Sequence, residues 1–275
     1  MIIVLSSSIV LFALINFVLQ VRVPTPYKIS MMQPSRAKRK AFWEYTGNYT
    51  AIIHALTSLM ASILILIPQG LELMKHNTLL ENCLTAYSLG YYMVDTLFGL
   101  LFGFNEGLLL FHHVECILSL VYTLYKDQYA NPVIWALAIA EISNPLILLR
   151  KNLQKHKSLD RAADIVGIIF SLLFITTRTY LISLVATPLF ISEVSLALKL
   201  HCGLLWFISL YWCYTIINML TKALYEMTKS SVFRYTHENL RKARKNGVFM
   251  FGLHGIFFSV CFLKTIASWN HREVF

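Results

Sequence analysis

Charge is scarce in this sequence: 14% of its 275 residues are Asp, Glu, Lys or Arg, against roughly a quarter in soluble globular domains. That shortage, with 57% hydrophobic residues and a mean hydropathy of +0.60, argues against a soluble domain and for a polytopic membrane protein. Paired cysteines are missing too. Cys83, Cys116, Cys202, Cys213 and Cys261 stand singly, most of them in apolar runs. They read as free buried thiols, not as a disulfide framework or a zinc site. There is no glycine-rich phosphate loop, no Walker or dinucleotide pattern, no G-x-S-x-G signal and no internal repeat, which removes nucleotide-binding and serine-hydrolase chemistry. The N-terminus has neither the basic flank and small-residue cleavage site of a signal peptide nor an Arg-rich presequence, so residues 2–20 read as a retained anchor.

Long apolar runs fill the rest. Seven lie at about 2–20, 49–67, 81–103, 107–125, 132–150, 163–187 and 196–220, each close to the roughly 20 residues a spanning helix needs. The expected fold is all-α with about seven transmembrane helices. An eighth apolar run, 247–264, is short enough to span, re-enter or lie on the surface. Lys and Arg give the orientation. The connections 21–48, 150–162 and 221–246 hold 18 of them on one side, and the other side has Lys75, Lys126 and Lys199. The positive-inside rule then places the N-terminus outside and the basic loops in the cytosol. The net charge of +10 follows from those loops meeting anionic lipid, and nucleic acid is not expected as a partner. The loop 21–48, with Pro24, Pro26 and Pro34, reads as irregular, and its run at 36–40 as a solvated basic patch. The sequon Asn48-Tyr49-Thr50 falls at the cytosolic end of its span and should stay unglycosylated. The tail 221–246 has helix-forming, mixed-charge sequence suited to the membrane surface.

Into these runs the sequence sets His54, Asp95, His112, His113, Glu115, Glu141 and Arg178. A charge at the bilayer centre costs about 2.5–3.5 kcal/mol on insertion scales, so these groups must pair, face inward or stay neutral. At the helical rise, His54 and the His112/His113 pair lie about 8–9 Å from the cytosolic end, Asp95 and Glu115 about 12 Å, Glu141 about 14 Å and Arg178 about 22 Å. Six groups from four helices therefore share one layer, which predicts a polar cavity open to the cytosol. Within FHHVEC, His112 can reach Glu115 or Cys116, and His113 points about 100° away. An imidazole oriented by a carboxylate serves general-base catalysis and equally serves helix–helix polar contacts. Tyr91 and Tyr92 are placed to hydrogen-bond Asp95, Pro145 should kink the helix after Glu141, and Arg178 is long enough to pair with Glu141. Trp206, Tyr211, Trp212 and Tyr214 line a packing face or the wall of the cavity. A single adjacent His pair without a second His box does not make a di-metal site, and no metal is expected.

In order, the stretches NYTAIIHALTSL, SLGYYMVDTLFGLL, LFHHVECILSL, AEISNPLILLRKNL, GIIFSLLFITTRTYL and LLWFISLYWCYTIINML resemble the TLC-domain family, named for its TRAM, Lag and CLN members, across about residues 45–222. The resemblance implies six helices around a lipid-sized tunnel, preceded by an anchor helix and basic loop (1–44) and followed by a basic amphipathic tail (223–275). It also matches His112 and His113 to the histidine pair that serves acyl transfer from acyl-CoA in ceramide synthases. Those enzymes carry a long downstream motif with His-Asp and a further Asp pair, where this chain has YKDQYANPVIWALAIAEISNP. It is more similar to the branch without ceramide synthase activity.

Three functional readings follow. The first is a lipid-binding protein that affects or senses acyl-lipid or sphingolipid composition, using His54, Asp95, Glu115, Glu141, Arg178, Tyr211 and Trp212 as a polar cavity. The second is an acyltransferase with His112 or His113 as base or acyl acceptor and acyl-CoA as the one cofactor it would admit. The third is an accessory or scaffold subunit of a larger membrane complex. Membrane lipids are the expected partners, with membrane proteins beside them in the third case. The expected location is the endoplasmic reticulum or a related endomembrane, with the mitochondrial inner membrane left open.

Overall fold

A computed structural model of the chain describes residues 2–22, 36–103, 107–154 and 157–229. Residues 23–35, the tail from 230 and the apolar run 247–264 lie outside the described residues. Among the described residues the secondary structure is helical, apart from one isolated bridge between His76 and Gln128. The helices are α1 (Ile2–Arg22), α2 (Arg36–Leu66), α3 (Leu79–Phe102), α4 (Gly107–Lys126), α5 (Ala130–Glu141), α6 (Asn144–Leu153), α7 (Asp160–Thr176), α8 (Ile182–Ile191) and α9 (Leu196–Lys229). A 3₁₀ turn, Lys157–Leu159, leads into α7, and a π-turn, Thr177–Leu181, joins α7 to α8.

Six helical segments are long and apolar enough to cross a membrane: 2–19, 46–66, 107–126, 130–153, 160–191 and 196–221. The seventh expected span, α3, has 24 residues, or about 36 Å of helix, but its Glu81, Asp95 and tyrosines leave it more polar than the others. Its surroundings explain how it tolerates them. It packs against α1, α2, α4 and α5, and Glu81, Tyr91 and Tyr92 are buried, so protein rather than lipid receives its polar atoms. Its ends are well marked. Thr78 and Glu81 form a reciprocal capping box, and Gly103 closes the helix in the left-handed conformation at φ 67°.

Two element limits differ from the sequence reading, and the proline kink it expected after Glu141 is present. The connection 21–48 is not irregular throughout: from Arg36 it is already part of α2, because no proline follows Pro34 and the run after it is rich in Ala, Arg and Lys, all strong helix formers. The fifth span is two helices, broken at Ile142–Ser143 ahead of Pro145. Pro145 has no N–H to offer the Glu141 carbonyl and crowds it, which is the expected cause of the break. The sixth span runs on to Ile191 through the π-turn.

The six spans after α1 form a ring in the order α2, α3, α4, α9, α7–α8, α5–α6, and α1 docks outside against α3 and α2. The break in the fifth span divides the interior. α5 packs against α2, α3, α4, α8 and the π-turn, so it occupies the centre of the half that carries the 67–78 and 127–129 connections. α6, in the half nearer the basic connections, packs against α2 and α7 at the rim and leaves α3 and α4. Polar contacts tie the 67–78 and 127–129 connections together. The Gly70 carbonyl accepts from Asn131 Nδ2 and Trp135 Nε1, both at 3.1 Å. The buried Glu81 meets Lys75 Nζ at 3.1 Å, and Asn82 Nδ2 donates to Asp127 at 2.8 Å.

α1 is fixed by shape and by one buried polar contact. Phe12 is fully buried against Tyr87, Tyr91 and His54, and Thr50 Oγ1 donates to Asn16 Oδ1 at 3.0 Å. Thr50 of the sequon is thus enclosed at 2% exposure. Gly90 lets the two backbones approach, since a Cβ there would lie 2.7 Å from Ser8 Cβ and 3.1 Å from the Ile9 nitrogen. Gly90→Ala should therefore destabilise the protein by about 1–3 kcal/mol. Thermal unfolding in mild detergent checks this, with Gly107→Ala, where a Cβ meets nothing within 4 Å, expected to unfold at the wild-type temperature or above.

Candidate functional site

The break in the fifth span brings Glu141 to the middle of the bundle, where it is 3% exposed. Three groups supply it with polar contacts. Asn144 Nδ2 donates to Oε2 at 2.8 Å, the Tyr92 hydroxyl donates to Oε1 at 3.4 Å, and His54 Nδ1 lies 3.5 Å from Oε1. The other His54 nitrogen, Nε2, is 3.3 Å from Ser88 Oγ, and the ring stacks on Tyr91 with centroids 3.9 Å apart. His54 is thus held by aromatic faces, a carboxylate and a hydroxyl, on residues drawn from α2, α3 and α5.

Two further carboxylate–histidine pairs lie beside it. His113 Nδ1 is 3.2 Å from Asp95 Oδ2, linking α4 to α3, and the Tyr92 ring packs edge-on to His113 at 5.5 Å. His201 Nδ1 is 2.8 Å from Glu115 Oε2, linking α9 to α4. In these three pairs, each carboxylate set within a membrane helix meets an imidazole from another helix. Such a pair can share one proton and remain neutral overall, which avoids the insertion cost of an isolated charge.

Several sequence expectations are redirected here. Glu115 pairs with His201 and not with His112, because its side chain faces α9 while His112 reaches along its own helix, placing Nε2 3.6 Å from Cys116 Sγ. The tyrosine expected on Asp95 gives its hydroxyl to Glu141 instead. Arg178 does not form an ion pair with Glu141: its Nη2 donates to the Ala140 carbonyl at 3.2 Å, and its guanidinium lies over the Phe174 ring at 5.1 Å. The π-turn carries Arg178 to the broken end of α5, and the backbone there takes the hydrogen bond. Trp212 meets His112 edge-on at 5.0 Å, but Tyr211 is 55% exposed on the outside of α9 and does not join the cluster.

Sequence reasoning missed His201 and Ser88. His201 is a lone ionisable residue in an apolar run, the same signal that drew attention to His54. Ser88 carried no signal, since serine is tolerated anywhere in a membrane helix that packs closely. Among the described residues, no three His, Cys, Asp or Glu side chains converge closely enough to hold a metal ion.

Six spans around a layer of paired polar groups, with α1 docked outside them, define an integral membrane protein with a polar interior. A profile of the TLC domain matches residues 48–220, well over half of the chain, and the protein belongs to that family. No curated protein and no solved structure matches it significantly.

Removing one member of a buried pair strands the other. Glu141→Ala deprives His54, Tyr92 and Asn144 of their acceptor and should cost about 3–5 kcal/mol. Unfolding in mixed detergent micelles measures it. A double-mutant cycle with His54→Ala is expected to show a coupling of about 1 kcal/mol or more.

Proposed function

We propose that this protein binds an acyl lipid, with the lipid's head group among the polar side chains of the bundle centre and its chain between the helices. Through that site it affects or senses acyl-lipid composition, sphingolipids included. The observation that carries the reading is the division of the interior at Ile142–Ser143. α5 fills the centre of one half, α6 withdraws to the rim of the other, and His112, Cys116, Asp95 and Trp212 at this level are only partly covered. Partly covered polar groups inside a membrane bundle call for polar company that lipid tails cannot give. Membership of the TLC family supports a lipid-related role. In this reading residues 1–44 supply the anchor, 45–222 the lipid-handling domain and 223–275 a basic tail on the cytosolic face, in an endomembrane such as the endoplasmic reticulum.

A second reading, acyl transfer, is favoured by one approach: His113, next in sequence to His112, has Nδ1 3.2 Å from Asp95 Oδ2, within ion-pair distance but not aligned as a hydrogen bond. In that case His113 acts as the base and acyl-CoA brings the chain from the cytosolic side.

Mass spectrometry of lipid co-purified in mild detergent tests the first reading. One acyl lipid per chain is expected, and a protein stripped clean under conditions that keep it folded would refute the proposal. The same preparation, given acyl-CoA with a labelled chain, separates the two readings. Binding alone leaves the label on CoA. Acyl transfer moves it to an acceptor and loses at least about a hundredfold in rate in Asp95→Asn and His113→Ala.

A further inference from the structure

Arg150, in the last turn of α6, does not reach for water. An arginine near the end of a membrane helix ordinarily snorkels, laying its stem along apolar surface and its guanidinium in the aqueous phase. Arg150 instead crosses to α7 and lies against the buried Gly167. A Cβ at Gly167 would fall 2.7 Å from Arg150 Nε, 3.0 Å from its Cδ and 3.3 Å from its Cζ. The bare glycine backbone is thus the bed of the guanidinium. Nε is buried and has no hydrogen-bond partner. Among the described residues, no carboxylate lies within the 4.0 Å of an ion pair from Arg150. Asp160 and Asp164, on the same stretch of α7, are exposed. The Gly167 carbonyl is occupied by Ser171 Oγ, which donates to it at 2.8 Å.

The level of this charge is set by the two helices. Arg150 lies about 5 Å from the end of α6 at Leu153, and Gly167 about 10 Å from the start of α7 at Asp160. That is head-group depth, on the side of the basic connections. One turn further in, the seam is closed by an apolar cluster to which Leu146 and Ile147 of α6 and Phe170 and Phe174 of α7 contribute. A partner for the guanidinium therefore comes from the membrane side of the seam and not from the bundle centre. Arg150 is only partly covered, which leaves it open to such a partner. Lys151 and Arg161, on the adjoining ends of α6 and α7, are exposed and add positive charge above it.

We propose that the α6–α7 seam binds an anionic phospholipid, with its phosphodiester on the Arg150 guanidinium. A guanidinium stays protonated in any protein environment, and its planar fork matches two phosphate oxygens at once. Here one oxygen accepts from Nε–H and the other from an adjacent Nη–H. The acyl chains run down the lipid-facing side of the seam, and Lys151 and Arg161 favour a head group with further negative charge. Gly167 is the positioning residue, because any side chain there would displace the guanidinium. The site is separate from the polar layer and stands whether or not the bundle centre holds a lipid.

The test is equilibrium binding of radiolabelled phosphatidylserine to the purified full-length protein in mild detergent. Phosphatidylcholine, diacylglycerol with the same chains and inorganic phosphate serve as competitors. Diacylglycerol should compete at least about tenfold more weakly than unlabelled phosphatidylserine, since it lacks the phosphate. Phosphatidylcholine should fall between the two, because it keeps the phosphodiester but has no net charge. Arg150→Gln should weaken phosphatidylserine by at least about tenfold, and Arg150→Lys should restore part of the loss as a point charge without the fork. Gly167→Ala separates binding from folding. Its methyl meets a flexible side-chain end and not backbone, and alanine is the better helix former. This variant should unfold at the wild-type temperature or above and still bind phosphatidylserine at least about threefold more weakly. If Arg150→Gln fails to fold, Gly167→Ala and the competition on the wild-type protein decide. Equal competition by diacylglycerol or by phosphatidylcholine overturns the inference, as does binding unchanged in Arg150→Gln. Displacement of the lipid by millimolar inorganic phosphate also overturns it and assigns the seam to a free anion.

Discussion

A membrane interior offers no water to a charged side chain, so every carboxylate placed there must find its partner within the protein. The contact between His54 and Glu141 meets that demand at the point where the chain is least regular. Pro145 breaks the fifth span one turn after Glu141, and the break fixes where both halves of the helix lie. His54, Tyr92 and Asn144 then close round the carboxylate from three sides. Without those partners the break would place a polar side chain and loosened backbone in a low-dielectric core. With them it becomes a junction that holds α2, α3 and α5 in one geometry.

The same demand accounts for the position of α3. A helix with Glu81, Asp95 and several tyrosines is a poor span by composition, yet it is surrounded by protein along most of its length. α1 completes that enclosure by inserting Phe12 between Tyr87 and Tyr91. The N-terminal helix is thus more than a tether. It covers the back of the helix that supplies Asp95, Tyr92 and Ser88 to the polar layer, and Gly90 is the point where the two backbones come closest.

Much of this was legible from the sequence. Seven apolar runs, the basic loops and the ordered stretches around His54, Asp95, His112 and Glu141 carry the fold, because helix length and charge placement are local properties that bilayer thickness constrains directly. Counting depth along the helices also placed His54, Asp95, His113 and Glu141 at one level. Partner choice was not legible. Glu115 had a histidine three residues away on its own helix and meets His201 instead, and Asp95 had two nearby tyrosines and meets His113. Which neighbour a side chain takes depends on how helices are rotated about their axes, and periodicity in a single helix does not fix rotation against a second one. The π-turn was invisible for a related reason: TTRTYL has no residue that demands it, and it follows from the fit of α7 and α8 to the rest of the ring.

The two irregular places in the bundle, the break at Ile142–Ser143 and the π-turn at Thr177–Leu181, are joined by one hydrogen bond from Arg178 to the Ala140 carbonyl. A broken helix end is an acceptor in need of a donor, and a π-turn is a costly way to hold a helix unless something holds it in place. Each irregularity therefore supports the other. A carbonyl dipole meets only one donor of the guanidinium and does not by itself offset a full charge. A helix break that needed only a hydrogen-bond donor could have been served by the Asn, Ser or Thr side chains plentiful in these spans. A permanent cation there has a physical reason where a negative group is near, and Glu141, next in sequence to Ala140, is the carboxylate within its electrostatic reach.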